Sequence, residues 1–208
     1  MKAVAEIPST LERELKVVEV EIRGITPLVQ NTMPLEVLLG LRSKKKKPKS
    51  HIIDISPRDE AELKIHKDDK GNPVVTADML MSSLVNAGRF VRLDGKKQMS
   101  TRSDTVVPGF ISIDEPFFRI EPGEWEVDIR RGNNENAGKS VAICVCRPMF
   151  HKWAFKLVIR IDTESIHENQ ARELFDIALN RIGLGSMRPE KKGTFGRAVV
   201  TQWKVKES

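Results

Sequence analysis

Between Trp153 and Val205 the chain writes a strand, a one-faced helix and a second strand in succession, and this order restricts the fold more than any other feature. Trp153, Phe155, Leu157, Ile159 and Ile161 alternate with Ala154, Lys156, Val158 and Arg160, the period of a strand with one strongly apolar face. Ser165-Ile-His-Glu168 matches a capping box. The helix that follows spaces Ala171, Leu174, Phe175, Ala178, Leu179 and Ile182 at helical intervals, giving a single apolar stripe. The last strand runs from Arg197 to Val205. A striped helix between two strands implies a helix packed on one face of a sheet.

Earlier segments extend the pattern. From Leu15 to Ile25, Val18, Val20 and Ile22 alternate with Glu19, Glu21 and Arg23, and Gly24, Thr26 and Pro27 end the strand. Pro34 to Leu41 predicts a short helix. Asp68-Asp-Lys-Gly-Asn-Pro73 is a turn by composition. Val74-Val-Thr76 then opens a helix with Thr76 as N-cap, carrying Leu80, Leu84, Ala87 and Val91, with Gly88 near its end. Thr105 to Ile113 and Trp125 to Arg130 turn β-like, and Arg131-Gly-Asn-Asn-Glu-Asn-Ala-Gly138 reads as a polar turn or loop before a strand from Ser140 to Arg147. These strands read as a middle insertion or a second small sheet. The order β, α, β-rich insertion, β, α, β suits an α+β fold of ferredoxin-like, RNA-recognition-like type, an antiparallel sheet with its helices on one face. The expected organisation is a single domain over residues 1–208, with a basic loop insertion at about 42–60 and a β-rich insertion at about 100–150.

The net charge of +6 and the pI near 9.4 fit a polyanionic partner, although 29 acidic residues make the distribution of charge matter more than its sum. Positive charge concentrates in two places. Arg42-Ser-Lys-Lys-Lys-Lys-Pro-Lys49 is the densest run; a block of like charges repels itself and buries nothing. It reads either as a solvated spacer or as a tract in which Lys44, Lys45, Lys46 and Lys47 follow phosphates without reading bases. The second place is Gly183-Leu-Gly-Ser-Met-Arg-Pro-Glu-Lys-Lys-Gly-Thr-Phe-Gly-Arg197. Gly183 is placed to cap the preceding helix. Gly185, Gly193 and Gly196 remain after that role is filled, and bare backbone amides beside Arg188, Lys191, Lys192 and Arg197 form an anion-binding surface.

Cys144 and Cys146 lie two apart on one face of a strand, a spacing that does not readily meet disulfide geometry, so they read as reduced thiols in a reducing compartment. A zinc site would need a second soft pair that the sequence lacks, so no metal and no cofactor are expected. No apolar run approaches the ~20 residues that span a bilayer, and the first fifteen residues lack a signal-peptide core. The expected setting is cytoplasmic, without a membrane.

Three segments, in order, resemble the RAMP superfamily of CRISPR effector proteins, especially the small backbone subunits that polymerise along guide RNA. The opening strand running into Gly24-Ile-Thr-Pro-Leu28 is similar to that superfamily's first strand and exit loop. Pro73-Val-Val-Thr-Ala-Asp-Met-Leu-Met-Ser-Ser-Leu84 looks like its strand-to-helix segment, though without the usual glycine. Gly183 to Gly196 resembles its glycine-rich loop, most specifically at Gly-Thr-Phe-Gly-Arg197, but is spread by Met187 to Lys192. A similar order of segments occurs in small proteins of phages and mobile elements.

The resemblance implies a binder of single-stranded nucleic acid, RNA favoured, that self-associates head to tail and works beside other effector subunits in antiviral defence. Carried over by position, Gly183, Gly185, Gly193, Gly196 and Arg197 lie at the strand, Lys44 to Lys47 act as a clamp, and Arg188, Lys191 and Lys192 contact flanking phosphates. Two other classes stay open. A metal-independent ribonuclease needs a general base, for which His51 or His66 is available, or a loop carboxylate such as Asp54 or Asp59. A phage assembly protein would share the fold without binding oligonucleotides. The balance favours a binding module over an enzyme. Trp153 and Phe155 read as core, and Trp125, Phe195 and Trp203 either pack or stack on bases.

Overall fold

A computed structural model describes residues 15–42, 55–93, 95, 97–136 and 139–206. The lysine tract Lys44 to Lys47, together with His51 and Asp54, lies outside the described residues. In chain order the elements are β1 (Leu15–Gly24), β2 (Leu28–Val29), α1 (Leu35–Arg42), α2 (Pro57–Glu62), β3 (Val74–Thr76), α3 (Ala77–Ala87), β4 (Arg92–Leu93) and β5 (Lys97–Gln98). They continue with α4 (Val107–Phe110), β6 (Ile111–Ile113), β7 (Phe117–Arg119), β8 (Glu126–Asn136), β9 (Lys139–Phe150), β10 (Ala154–Asp162), α5 (Glu168–Ile177) and β11 (Ala198–Val205). A π-helical turn, Ala178–Ile182, prolongs α5.

The main sheet has the order β11-β1-β10-β6, antiparallel throughout, which is the split β-α-β arrangement of a ferredoxin-like fold. Alternation decides which face is inward. Val18, Val20 and Ile22 of β1 and Phe155, Leu157, Ile159 and Ile161 of β10 are buried. The stripes of α3 (Leu80, Leu84, Ala87) and of α5 with its π turn (Ala171, Leu174, Phe175, Ala178, Leu179) close the same core. Trp203 of β11 meets Phe175 edge to face at 5.5 Å and donates its indole N–H to Glu168 Oε1 at 3.0 Å, so it faces the helices. Trp153 and Phe155 are core residues as expected: both are buried, and the Trp153 indole donates to the Thr26 carbonyl at 2.8 Å. The sheet is therefore covered on one face.

Local chemistry fixes the helix starts. Thr76 is the N-cap of α3, its hydroxyl accepting from Met79 N at 3.1 Å. For α5 the capping-box expectation is displaced by two residues. His167 holds the N-cap position and donates its amide to Gln170 Oε1 at 2.9 Å, whereas Ser165 binds Asp162 Oδ2 at 3.0 Å in the preceding turn. Asp68 organises the turn before β3 by accepting from the amides of Lys70 and Asn72.

A second sheet, β2-β9-β8, is dominated by the β8–β9 hairpin. The stretch 131–138, expected as a loop, is instead mostly strand: the ladder pairs Arg131 with Cys144 and continues to Asn136 opposite Lys139. Cys144 is exposed and Cys146 buried, both as free thiols. Burial, with the Glu60 carboxylate beside it, pushes the Cys146 thiol up to about 11. The segment Ile111–Ile113, which periodicity grouped with the insertion, pairs with Ile159 to Ile161 as the edge strand of the main sheet.

Phe175 ties helix to sheet through its fully buried ring. Truncation in Phe175→Ala removes that packing and leaves a cavity, so urea denaturation is expected to show a fall in stability of about 3–5 kcal/mol.

Candidate functional site

The three segments singled out in the sequence meet in one place. The loop 183–197 folds over the exit of β1: Gly196 N donates to Pro27 O at 2.7 Å, Arg197 N to Thr26 Oγ1 at 2.9 Å, and Ser186 N to Val29 O at 2.7 Å. In return Ile25 N donates to Arg197 O at 2.8 Å. From α3, the buried Ser83 hydroxyl lies 2.9 Å from Ala178 O and 3.0 Å from Gly183 O, pinning the π turn where it gives way to the loop.

These contacts revise the role of the glycines. Gly183 N is bound to Ala178 O, Gly193 N to Arg188 O and Gly196 N to Pro27 O, so these amides do not face outward toward an anion. Gly196 has φ +70, and a Cβ there would overlap the Leu184 carbonyl oxygen; at Gly193 a Cβ would overlap that of Met187. Close approach is required, but to the protein's own backbone. Gly185 gives its carbonyl to Arg188 Nη1 at 2.9 Å.

Between these segments lies a cleft of about 280 Å³ lined by Asn31, His66, Met79, Ser82, Ser83, Gly183, Gly185, Ser186 and Arg188. Its wall is held by a polar cluster built on the buried Gln30. Gln30, fully buried, donates from Nε2 to Val74 O at 2.7 Å and accepts His66 N on Oε1 at 2.8 Å. His66 Nε2 lies 2.5 Å from Thr32 Oγ1. Burial holds the His66 imidazole below its ordinary range, because a desolvated cation is disfavoured. Arg188 places Nε and Nη2 on Glu190 Oε2 at 3.0 and 2.6 Å, which neutralises it locally.

The sequence-derived candidates thus separate into groups. Gly183, Gly185 and Arg188 line the cleft. Lys191 and Lys192 are exposed on the adjacent short turn Pro189–Lys191 and its cap, and among the described residues neither ammonium pairs with a carboxylate. Gly193 closes the loop on itself at Arg188 O, and Gly196 and Arg197 hold the loop to the body. Asp59 sits in the first turn of α2, where its carboxylate accepts from the hydroxyl of the N-cap Ser56 and its amide donates back to it, whereas His66 does reach the cleft. Gln30, Asn31, Thr32 and Ser83 were not singled out individually by sequence, since the run 30–32 lies far in the chain from His66 and Ser83 and shares no spacing with them.

Trp125 and Phe195 are half-buried, each with a guanidinium over its ring. The Arg58 guanidinium lies 4.2 Å from the Trp125 ring centre and that of Arg130 lies 4.8 Å from Phe195. Among the described residues no group of three or more His, Cys, Asp or Glu side chains could hold a metal ion, and no helix is long and apolar enough to cross a membrane.

No protein-family model matches this sequence, and no curated protein matches it. Solved structures do. A chain in the cryo-EM structure of the type III-B Cmr-beta bound to cognate target RNA superposes with a TM-score of 0.51 at 12% identity, over 92% of this chain and 60% of that one. This chain therefore spans less than two thirds of that neighbour's length. Cmr6 from Pyrococcus furiosus aligns with a TM-score of 0.45 at 10% identity, over 89% of this chain and 98% of that one. What is shared with the Cmr-beta chain at this identity is the fold.

The neutral His66 has a pH signature. Its folded-state value lies below 6.5, so as pH falls beneath 6.5 the unfolded chain takes up a proton that the folded chain resists, and stability declines. Thermal denaturation of wild type between neutral and mildly acidic pH is expected to show this decline, and His66→Gln is expected to reduce it.

Proposed function

We propose that this chain is a single-stranded nucleic-acid-binding subunit of RAMP type, RNA favoured, that contacts the strand through its phosphates and self-associates along it beside other effector subunits in the cytoplasm. The observation that carries the reading is the convergence of three distant segments on one polar cleft, beside an exposed turn where the ammonium groups of Lys191 and Lys192 pair with no carboxylate among the described residues. Such groups follow a phosphate backbone and release counterions from it. The fold likeness to a chain of the RNA-bound Cmr-beta adds support by analogy alone. In this reading Gly183, Gly185, Gly193, Gly196 and Arg197 shape the track, Arg188 borders it, and Lys44 to Lys47 form a second, clamping contact.

A second reading has one observation in its favour. His66 lines the same cleft as Arg188 and is kept neutral, the state a general base needs in a metal-independent ribonuclease.

Fluorescence anisotropy of labelled single-stranded RNA and DNA, titrated with salt, separates these. Binding is expected to weaken steeply with salt, and Lys191→Ala with Lys192→Ala is expected to flatten the log–log slope by about 0.7 for each phosphate no longer neutralised. Lys44 to Lys47 replaced by alanine is expected to act in the same direction. Binding indifferent to salt, or to all of these lysines, would overturn the assignment; RNA cleavage abolished by His66→Ala would establish the second reading. Absence of oligonucleotide binding would turn the reading toward the assembly protein.

A further inference from the structure

The cleft and the turn beside it differ in electrical character. Within the cleft the Arg188 guanidinium is satisfied by Glu190 and by Gly185 O, and His66 is held neutral by burial. The remaining lining groups are the Asn31 amide, the hydroxyls of Ser82, Ser83 and Ser186, and the thioether side chain of Met79. A phosphate entering here would lose water without meeting a free counter-charge, which is unfavourable. An uncharged group with donors and acceptors on its edge would not incur that cost. Among the described residues the Asn31 amide, the Ser82 hydroxyl and the Ser186 hydroxyl have no hydrogen-bond partner in the protein, so all three are available to such a group. Size points the same way. Ligand clefts run to roughly 300–1,000 Å³, and at about 280 Å³ this one suits a single nucleoside-sized unit.

We propose that the cleft receives one unstacked nucleobase of the bound strand, its polar edge meeting Asn31 and the serine hydroxyls and its face lying on Met79, while the flanking phosphates stay outside with Lys191 and Lys192. Amide side chains pair with base edges through a donor and an acceptor together, and single strands leave those edges free. The inference rests on the strand-binding reading above. It adds that the protein holds bases as well as phosphates, at a site distinct from its positive turn.

The test compares an oligoadenylate RNA with an abasic ribose–phosphate strand of equal length, so that charge is constant and only the bases differ. Wild-type protein is expected to bind the intact strand roughly tenfold more tightly, the scale of one or two hydrogen bonds. Asn31→Ala and Ser186→Ala are each expected to shrink that difference without altering binding of the abasic strand. Asn31 is exposed, so its variant keeps the fold, and a matching thermal melt checks this. An intact-over-abasic preference that is absent from wild type, or that survives in both variants, overturns the proposal while leaving phosphate binding intact. Failure to bind either strand overturns the strand-binding reading itself.

Discussion

The docking of the loop 183–197 onto the exit of β1 is the contact from which the rest of the molecule takes its shape. Strand β11 must leave the helical layer and return beside β1, and the chain achieves this by tying Gly196 to Pro27 and Arg197 to Thr26 immediately before β11 begins. That turn is possible because Gly196 takes φ +70 with no side chain to strike the Leu184 carbonyl. Once it is made, the register of β11 on β1 follows, with a shift between Glu21 and Ile22 that keeps both Val200 and Trp203 on the helix side. The same docking brings Ser186 against Val29 and leaves the cleft between loop, α3 and His66.

Much of this was legible in the sequence, and the reasons for success and failure are physical. Alternation over Leu15 to Ile25 and Trp153 to Ile161 located the two central strands because one face of each is fully buried, and burial enforces a period of two. Thr76 was found because a hydroxyl before an apolar stripe has one local task. The start of α5 was misplaced by two residues because Ser165, His167 and Gln170 all compete for the same amides, and Asp162 takes Ser165 away. The hairpin arm over 131–136 escaped notice since its ladder rests on backbone pairing rather than on an apolar face. Ile111–Ile113 is too short to carry a period of its own, and only its pairing with β10 makes it the edge of the main sheet.

The site was half legible for a different reason. Glycine spacing reported close approach correctly but did not say to what. The approach is inward, to the carbonyls of Leu184 and Met187, so the loop is a rigid mount rather than an open cradle. The cluster of Gln30, Thr32 and His66 left no trace in spacing at all. Gln30 reads as one polar residue after a short apolar run, yet it is fully buried and joins the β1 exit to β3 and to His66. Such a residue becomes visible only when the tertiary structure shows which amide and carbonyl it satisfies.

The uncovered face of the main sheet bears on where a strand of nucleic acid can lie. In an RNA-recognition-like fold that face would offer aromatic platforms. Here Glu19 pairs with Lys206 at 2.9 Å, Glu21 with Lys156 at 3.6 Å and Arg160 with Asp114 at 2.7 Å, so carboxylates are interleaved with its cations, although Arg23 and Lys204 on the same face enter no ion pair among the described residues. Trp203, on the neighbouring strand, turns the other way to pack against Phe175. A polyanion would meet interleaved carboxylates on this surface and would have to separate cations from their partners. The turn bearing Lys191 and Lys192 presents no such competition among the described residues. In the strand-binding reading proposed above, electrostatics would steer a strand toward the glycine loop and the cleft beside it, and away from the sheet surface that the fold alone would nominate.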